Sequence, residues 1–413
     1  MLNYIKKQNY QTIFWMILSL AIVLRILWAS AIPVIPVSDS AAYDVFAWNI
    51  AEFGTYGWSA DQASSYWPVG TSALYASFYY LFGHNFWPIV IFNILVSVGT
   101  VAIVMQLSKQ LFGISTAAFA GLLLAIWPSQ IMYVTVLASE LPFTLLVVSA
   151  LYIWLKNDKG NFISALFAGI LIAAASYIRP IALLLPFVFV AIEIARSKQW
   201  FVQIKALIVV LIVMTTLIFP WSVRNTNLWG EFVLISTNGP VVLWMGNHPN
   251  TDGTYTKLPE WTKSLNEYQR AQQLGKLSRE YIIAEPMLFV IRSFIKVAKI
   301  HIGETIAVHW NEKGIEETLS RKSLLPLKIA TQTYWTLIFL SALVGVILLI
   351  RKLGLLRCLF HPVIILWCYY ASVHGVILAQ DRYHFPSVPY IAILSAYAIT
   401  QYLEKREERN KSE

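Results

Sequence analysis

The chain has 413 residues, of which 57% are hydrophobic, 14% aromatic and 13% charged, with a mean hydropathy of +0.60. A soluble domain carries about 25% charge, and from Phe86 to Leu155 only Lys109 and Glu140 are charged; this excludes a disordered, secreted disulfide-rich or nucleic-acid-binding protein and indicates a multi-span membrane protein. The net charge of +9, from 31 Lys and Arg against 22 Asp and Glu, reflects cytoplasmic loops in such a chain.

A bilayer core of roughly 30 Å takes about 20 apolar residues per helix. On that measure the sequence predicts an all-α polytopic protein of about ten transmembrane helices, near residues 13–33, 86–107, 114–130, 141–155, 162–178, 181–195, 203–220, 329–350, 359–379 and 385–402. Lys6 and Lys7 before the first apolar run resemble a signal peptide, but Arg25 interrupts the run and many spans follow, so it reads as an uncleaved helix. Seven helices make an N-terminal membrane domain (1–220), with a long first external loop at 34–85. A second external segment (221–328), three further helices (329–403) and a polar tail (404–413) complete the chain.

Basic residues set the orientation. With a cytoplasmic N-terminus, fourteen Lys and Arg fall on the cytoplasmic side, among them Lys6, Lys7, Lys109, Lys156, Lys159, Arg196, Lys198, Arg351 and Lys405. The short loops opposite carry only Arg179 and Arg382, so both termini are expected in the cytoplasm. The first external loop has four acids (Asp39, Asp44, Glu52, Asp61) and no Lys or Arg. In the second, Arg292, Lys296 and Lys299 recur at helical spacing beside Leu288, Phe289, Phe294 and Val297, the pattern of an interfacial amphipathic helix with its basic side chains on lipid headgroups.

Candidate chemistry gathers on the external face. Asp39 lies just past the first span, where a helix N-cap is the plainer role. Glu140 sits in a short turn, and a carboxylate bordering hydrocarbon needs a polar cavity or a partner. Arg179 joins two spans, Arg224 follows Pro220-Trp221, and Arg382 precedes the last span beside His384. Each arginine alone reads as a headgroup contact; three at one depth with two acids suggest a site for an anionic lipid headgroup. Arg25, inside the first span, either snorkels or meets an intramembrane acid. The cysteines, Cys358 and Cys368, form no C-x-x-C pair, the seven histidines show no metal-ligand spacing, and no phosphate-binding P-loop occurs.

These motifs, in order, resemble the GT-C superfamily of integral-membrane glycosyltransferases, specifically the bacterial protein-mannosyltransferase, family 39-like group. Ser38-Asp39-Ser40-Ala41-Ala42-Tyr43 is similar to its acidic first-loop motif, and Trp67-Pro68-Val69-Gly70 to its Pro-Pro-Gly segment, with Val69 a departure. Ser139-Glu140-Leu141-Pro142, Tyr177-Ile178-Arg179-Pro180, Pro220 to Asn225 with Gly246-Asn247-His248-Pro249, and Arg382-Tyr383-His384-Phe385-Pro386 resemble the later motifs.

The resemblance implies inverting sugar transfer from a polyprenyl-phosphate carrier to a glycan, lipid or protein acceptor, on the outer face of a bacterial plasma membrane. It implies Asp39 as general base and Arg179, Arg224, Arg382 and His384 around the carrier phosphate. Glu140 would orient the acceptor or help hold a divalent metal ion, and Tyr43, Trp67, Pro68 and Asn247 would border the substrate. A transporter or lipid flippase is the reading from another class; it calls for internal repeats and broken helices at midplane, whereas the charges here collect at one face.

Overall fold

Residues 9–156, 161–197 and 200–412 are described by the computed structural model; Lys6, Lys7, Lys159 and Lys198, used above for orientation, lie outside them. Helix α1 (Tyr10–Ala31) leads to α2 (Asp39–Phe53), an antiparallel hairpin of β1 (Gly57–Ser59) and β2 (Gln62–Ala63), and α3 (Gly70–Phe82). Next come α4 (Trp87–Phe112), α5 (Ile114–Ala125), α6 (Pro128–Met132), α7 (Glu140–Leu155), α8 (Phe162–Ile178), α9 (Leu185–Ser197) and α10 (Trp200–Trp229). The second polar segment forms α11 (Asn238–Met245), α12 (Glu267–Ala284), α13 (Pro286–Ile302), α14 (Ile306–Trp310) and α15 (Glu312–Thr318). The chain closes with α16 (Leu324–Leu353), α17 (Leu355–Leu359), α18 (Pro362–Val376) and α19 (Val388–Ser412).

The structure corrects the expectation of about ten transmembrane helices. Among the described residues four helices are long and apolar enough to cross a membrane: α1, α4, α10 and the stretch Arg321–Leu353 containing α16. A fifth arises only if Ile114–Ala125 and Pro128–Thr135, bent by 56°, count as one span. Helices α7, α8 and α18 have 16, 17 and 15 residues, about 24 Å at 1.5 Å per residue and short of a roughly 30 Å core. Proline sets these lengths: it lacks an N–H and starts helices more readily than it continues them. Trp127-Pro128 therefore cuts the predicted span 114–130, whereas Arg179-Pro180 falls between the predicted spans 162–178 and 181–195 and ends α8 there. Pro220 does the reverse of what the sequence suggests, since α10 continues through it to Trp229 and carries Arg224 within the helix.

Close packing joins the last long helices. A Cβ on Gly345 of α16 would lie 2.2 Å from the Leu394 carbonyl of α19, so only glycine permits this approach of backbones. Arg25 neither snorkels nor meets an acid. It is fully buried, donating to Ser97 Oγ (2.7 Å), Ala125 O (3.0 Å) and Leu124 O (3.2 Å). Those carbonyls end α5, where the helix leaves them without partners, and the guanidinium takes them up at the bend.

Helix α13 is amphipathic as expected, but with the faces exchanged. Arg292 donates to the His248 and Pro249 carbonyls (3.2 and 2.7 Å), Lys296 to Asn247 Oδ1 and Val376 O (both 2.9 Å), and Lys299 pairs with Asp252 (2.9 Å). Burial, then the charge of Arg292, lowers the Lys296 ammonium to about 8. Met287, Val290, Ile291, Phe294, Ile295 and Ile302 are its exposed large apolar side chains. The sequence periodicity shows two faces without showing which one meets protein.

Replacing Arg25 by Leu strands the α5 carbonyls and Ser97 in an apolar interior. Arg25→Leu is expected to destabilise the protein by about 3 kcal/mol, read as a fall in Tm, with Arg25→Lys intermediate.

Candidate active site

The first external loop turns sharply before α2. Ser38 has φ 53° and ψ −128°, a conformation that glycine enters readily and serine does not. Its side chain makes no capping bond, and Asp39 becomes the first residue of the helix rather than its cap. Asp39 is thereby free to reach across the molecule. Its Oδ2 accepts from Arg382 Nη2 at 2.5 Å, and Arg382 Nη1 lies 3.7 Å from Glu140 Oε1. Arg179 completes the set, donating from Nη2 to Glu140 Oε1 (2.5 Å) and from Nε to Ser139 Oγ (2.9 Å). All four charges stand at helix breaks: the starts of α2 and α7, the end of α8, and the 3-10 turn Asp381–Ser387 before α19.

The quartet is formally neutral and little of it is exposed. Glu140 has a side-chain exposure of 0%, Arg382 9%, Arg179 12% and Asp39 28%. Burial alone would lower the Arg382 guanidinium, but the adjoining Asp39 and Glu140 carboxylates outweigh it and raise the group well above its usual value. Arg382 also lies over the Trp310 ring, 4.6 Å from its centroid. Burial raises the nearby Tyr43 and Tyr383 hydroxyls.

Asp39, Arg179 and Arg382 line a cavity of about 300 Å³. Tyr43, Trp67, Pro68, Ile235, Asn238 and Val242 form part of its wall. Asp39 Oδ1 and Arg179 Nη1 make no hydrogen bond with a described residue, which leaves an acceptor and a cationic donor unused on two residues that line the cavity. Glu140 is behind the arginines and orients both.

Three other sequence candidates lie elsewhere. Arg224 donates to Ser64 O (2.6 Å) and Tyr56 O (3.3 Å) and stacks on Trp221, fastening the β-hairpin to α10. His384 is buried, bonded to Ile300 O (2.7 Å), stacked on Trp335 and 3.8 Å from Glu304. Asn247 donates to the Leu243 and Val376 carbonyls (2.8 and 3.0 Å) and accepts from Lys296. The histidine that borders the cavity is instead His374, stacked on Tyr383 and with no hydrogen-bond partner on either ring nitrogen. A polar residue inside the apolar run 359–379 was the available signal for it. Ser139 and Tyr383 also border the cavity, each next in sequence to a predicted residue.

No group of three or more His, Cys, Asp or Glu among the described residues is arranged to hold a metal ion. Asp39 and Glu140, the two acids of the cluster, are each paired with a guanidinium.

Residues 67–223 match the family model described as "Dolichyl-phosphate-mannose-protein mannosyltransferase". No curated protein matches the sequence. The fold resembles that of the oligosaccharyltransferase AglB of Archaeoglobus fulgidus, solved with an inhibitory peptide and a dolichol-phosphate (TM-score 0.59, 13% identity, covering 98% of this chain and 52% of that one). It also resembles ArnT of Cupriavidus metallidurans bound to undecaprenyl phosphate (TM-score 0.58, 14% identity, covering 93% and 59%). The chain thus shares the fold of these two proteins, and spans a little over half of their length.

The strained turn before Asp39 gives a direct check on the geometry. Ser38→Gly is expected to keep the Asp39–Arg382 pair and hold or raise Tm, whereas Ser38→Val, which cannot enter this conformation, lowers Tm by the equivalent of about 2 kcal/mol.

Proposed function

We propose that the protein is a glycosyltransferase that moves a sugar from a polyprenyl-phosphate carrier to an acceptor hydroxyl, with Asp39 as general base. The observation that carries this reading is a cavity lined by Asp39 together with Arg179 and Arg382, one carboxylate and two guanidiniums at one site. The GT-C fold and the family match over 67–223 support it, and favour a protein-mannosyltransferase-like enzyme.

The charge balance explains why these groups belong together. A polyprenyl-phosphate-linked sugar is a phosphodiester with one negative charge. The acceptor oxygen attacks the anomeric carbon as its proton passes to Asp39 Oδ1. The bond from that carbon to the phosphate oxygen breaks with its electron pair, and the carrier leaves as a monoester bearing one further negative charge. Before the step, two arginines balance two carboxylates. Once Asp39 is protonated, two guanidiniums face one carboxylate, and the site gains its positive charge as the leaving phosphate gains its negative one. The attack from the face opposite the leaving group inverts the anomeric centre.

The donor phosphate then rests on Arg179 and Arg382, without Arg224 or His384, which the fold uses elsewhere. The cavity opens on the extracytoplasmic face of a bacterial plasma membrane, with both termini in the cytoplasm, as the Lys and Arg distribution supports.

Asp39→Asn keeps an acceptor for Arg382 but cannot take the proton; transfer is expected to fall at least 1000-fold in a radiolabelled-sugar assay, with Tm near wild type. Wild-type turnover would refute the base assignment. Orientation is checked separately: a cysteine in Asp61→Cys, at the exposed tip of the hairpin, reacts with an impermeant thiol reagent on intact cells, and labelling only after lysis would overturn the outer-face assignment.

A further inference from the structure

Glu267 opens α12, in the second polar segment, and does not line the cavity. Its carboxylate accepts four hydrogen bonds: from Ser64 Oγ (2.6 Å), the Ser65 backbone N–H (2.9 Å), Ser65 Oγ (3.0 Å) and Thr237 Oγ1 (2.8 Å). Ser64, Ser65 and Thr237 are all buried. No described lysine or arginine forms an ion pair with Glu267, so neutral donors from two distant segments meet on one charge. The same segments are joined by Thr237 N–H donating to Ser65 O (2.9 Å), and Trp229 Nε1 donates to Ser65 Oγ (2.7 Å).

Both anchored segments run directly into the cavity wall. Two and three residues beyond Ser65 come Trp67 and Pro68 on one side; Ser236, Asn238 and Gly239 flank Thr237 on the other. We propose that Glu267 is a positioning residue, a single carboxylate clasp that holds the first external loop against the segment after α10 and so sets the width of the cavity between them. Charge-assisted bonds to a carboxylate are stronger than neutral ones, and removing the acceptor leaves four donors buried with one partner fewer each. The consequence for ligand affinity rests on the proposed function; the clasp itself rests on the geometry.

Hydrogen exchange of the full-length protein in detergent, read segment by segment, tests the clasp. In Glu267→Ala, protection of residues 62–68 and 234–242 is expected to fall together by about tenfold while that of α16 and α19 stays unchanged. Glu267→Gln, which keeps an acceptor oxygen, restores it. Affinity for undecaprenyl phosphate falls about tenfold in Glu267→Ala and returns in Glu267→Gln, while binding of undecaprenol, which lacks the phosphate, is the same in all three proteins. Loosening of only one of the two segments, or of neither, overturns the proposal. If Glu267→Ala fails to fold, Thr237→Val removes one donor and is expected to loosen 234–242; unchanged exchange there overturns it equally. Wild-type protein that binds undecaprenyl phosphate no better than undecaprenol would sink the proposed function, and the exchange result would still decide the clasp.

Discussion

A fully buried carboxylate is the constraint on which the arrangement turns. Glu140 has no exposed side-chain surface, and an ionised carboxylate taken from water costs several kcal/mol unless it is paired and hydrogen-bonded. Two guanidiniums answer it, and each comes from a different break in the fold: Arg179 where α8 ends and Arg382 in the turn before α19. Arg382 then has a second edge to satisfy, and Asp39, at the start of α2, supplies the partner. One buried acid therefore draws the N-terminal half of the chain and its last helix to a common point. Removing one partner would leave its neighbour buried and uncompensated, which is why the quartet acts as a unit.

The same rule, met by different means, shapes the rest of the interior. Arg25 finds its partners in carbonyls that the end of α5 leaves over, and Lys296 finds them in the Val376 carbonyl and the Asn247 amide. Glu304 accepts from the Trp127 indole at 2.8 and 3.1 Å, and Trp127 itself precedes the proline that bends the α5–α6 pair. None of these three charges relies on an opposite charge alone. In a chain with so few charged residues, backbone groups left unpaired at helix ends are the abundant partners, and buried charges gather there.

Much of the site was legible because charges are rare where it lies. Asp39, Arg179 and Arg382 stand out at the ends of apolar runs, and Trp67-Pro68 comes after an unusually polar stretch. Glu267 was hidden for the opposite reason: residues 221–328 carry many charges, so one more acid gives no signal, and only the fold shows that four donors meet on it. Arg224 and His384 stand away from the cavity because a place at a span's exit, or beside Arg382 in sequence, says nothing about the direction of a side chain. Trp221 turns Arg224 toward the hairpin, and Trp335 seats His384 against α13. Helix α13 shows the limit of periodicity, which gave two faces but assigned the basic one to lipid when the carbonyls of residues 248, 249 and 376 take it.

The overestimate of membrane spans and the gathering of these charges have one physical source. Hydropathy counts each apolar run as a span even where it is short, and the runs end at Arg179-Pro180 and in the Trp127-to-Glu140 stretch. Those breaks act on hydrogen bonding. Pro180 cannot donate to the α8 ladder, Arg179 leaves the helix in an extended conformation (φ −144°, ψ 114°), and α7 starts anew at Glu140 after a 3-10 turn. An uninterrupted helix would bury its own polar backbone and carry side chains past one another at fixed spacing, with no reason for a carboxylate and two guanidiniums to converge. The breaks shorten α7 and α8 below a bilayer's thickness and, at the same residues, supply the polar side chains and the free directions that bring Glu140, Arg179 and Asp39 within reach of Arg382. In this fold, helices too short to span are the means by which a charged site can be built beside hydrocarbon.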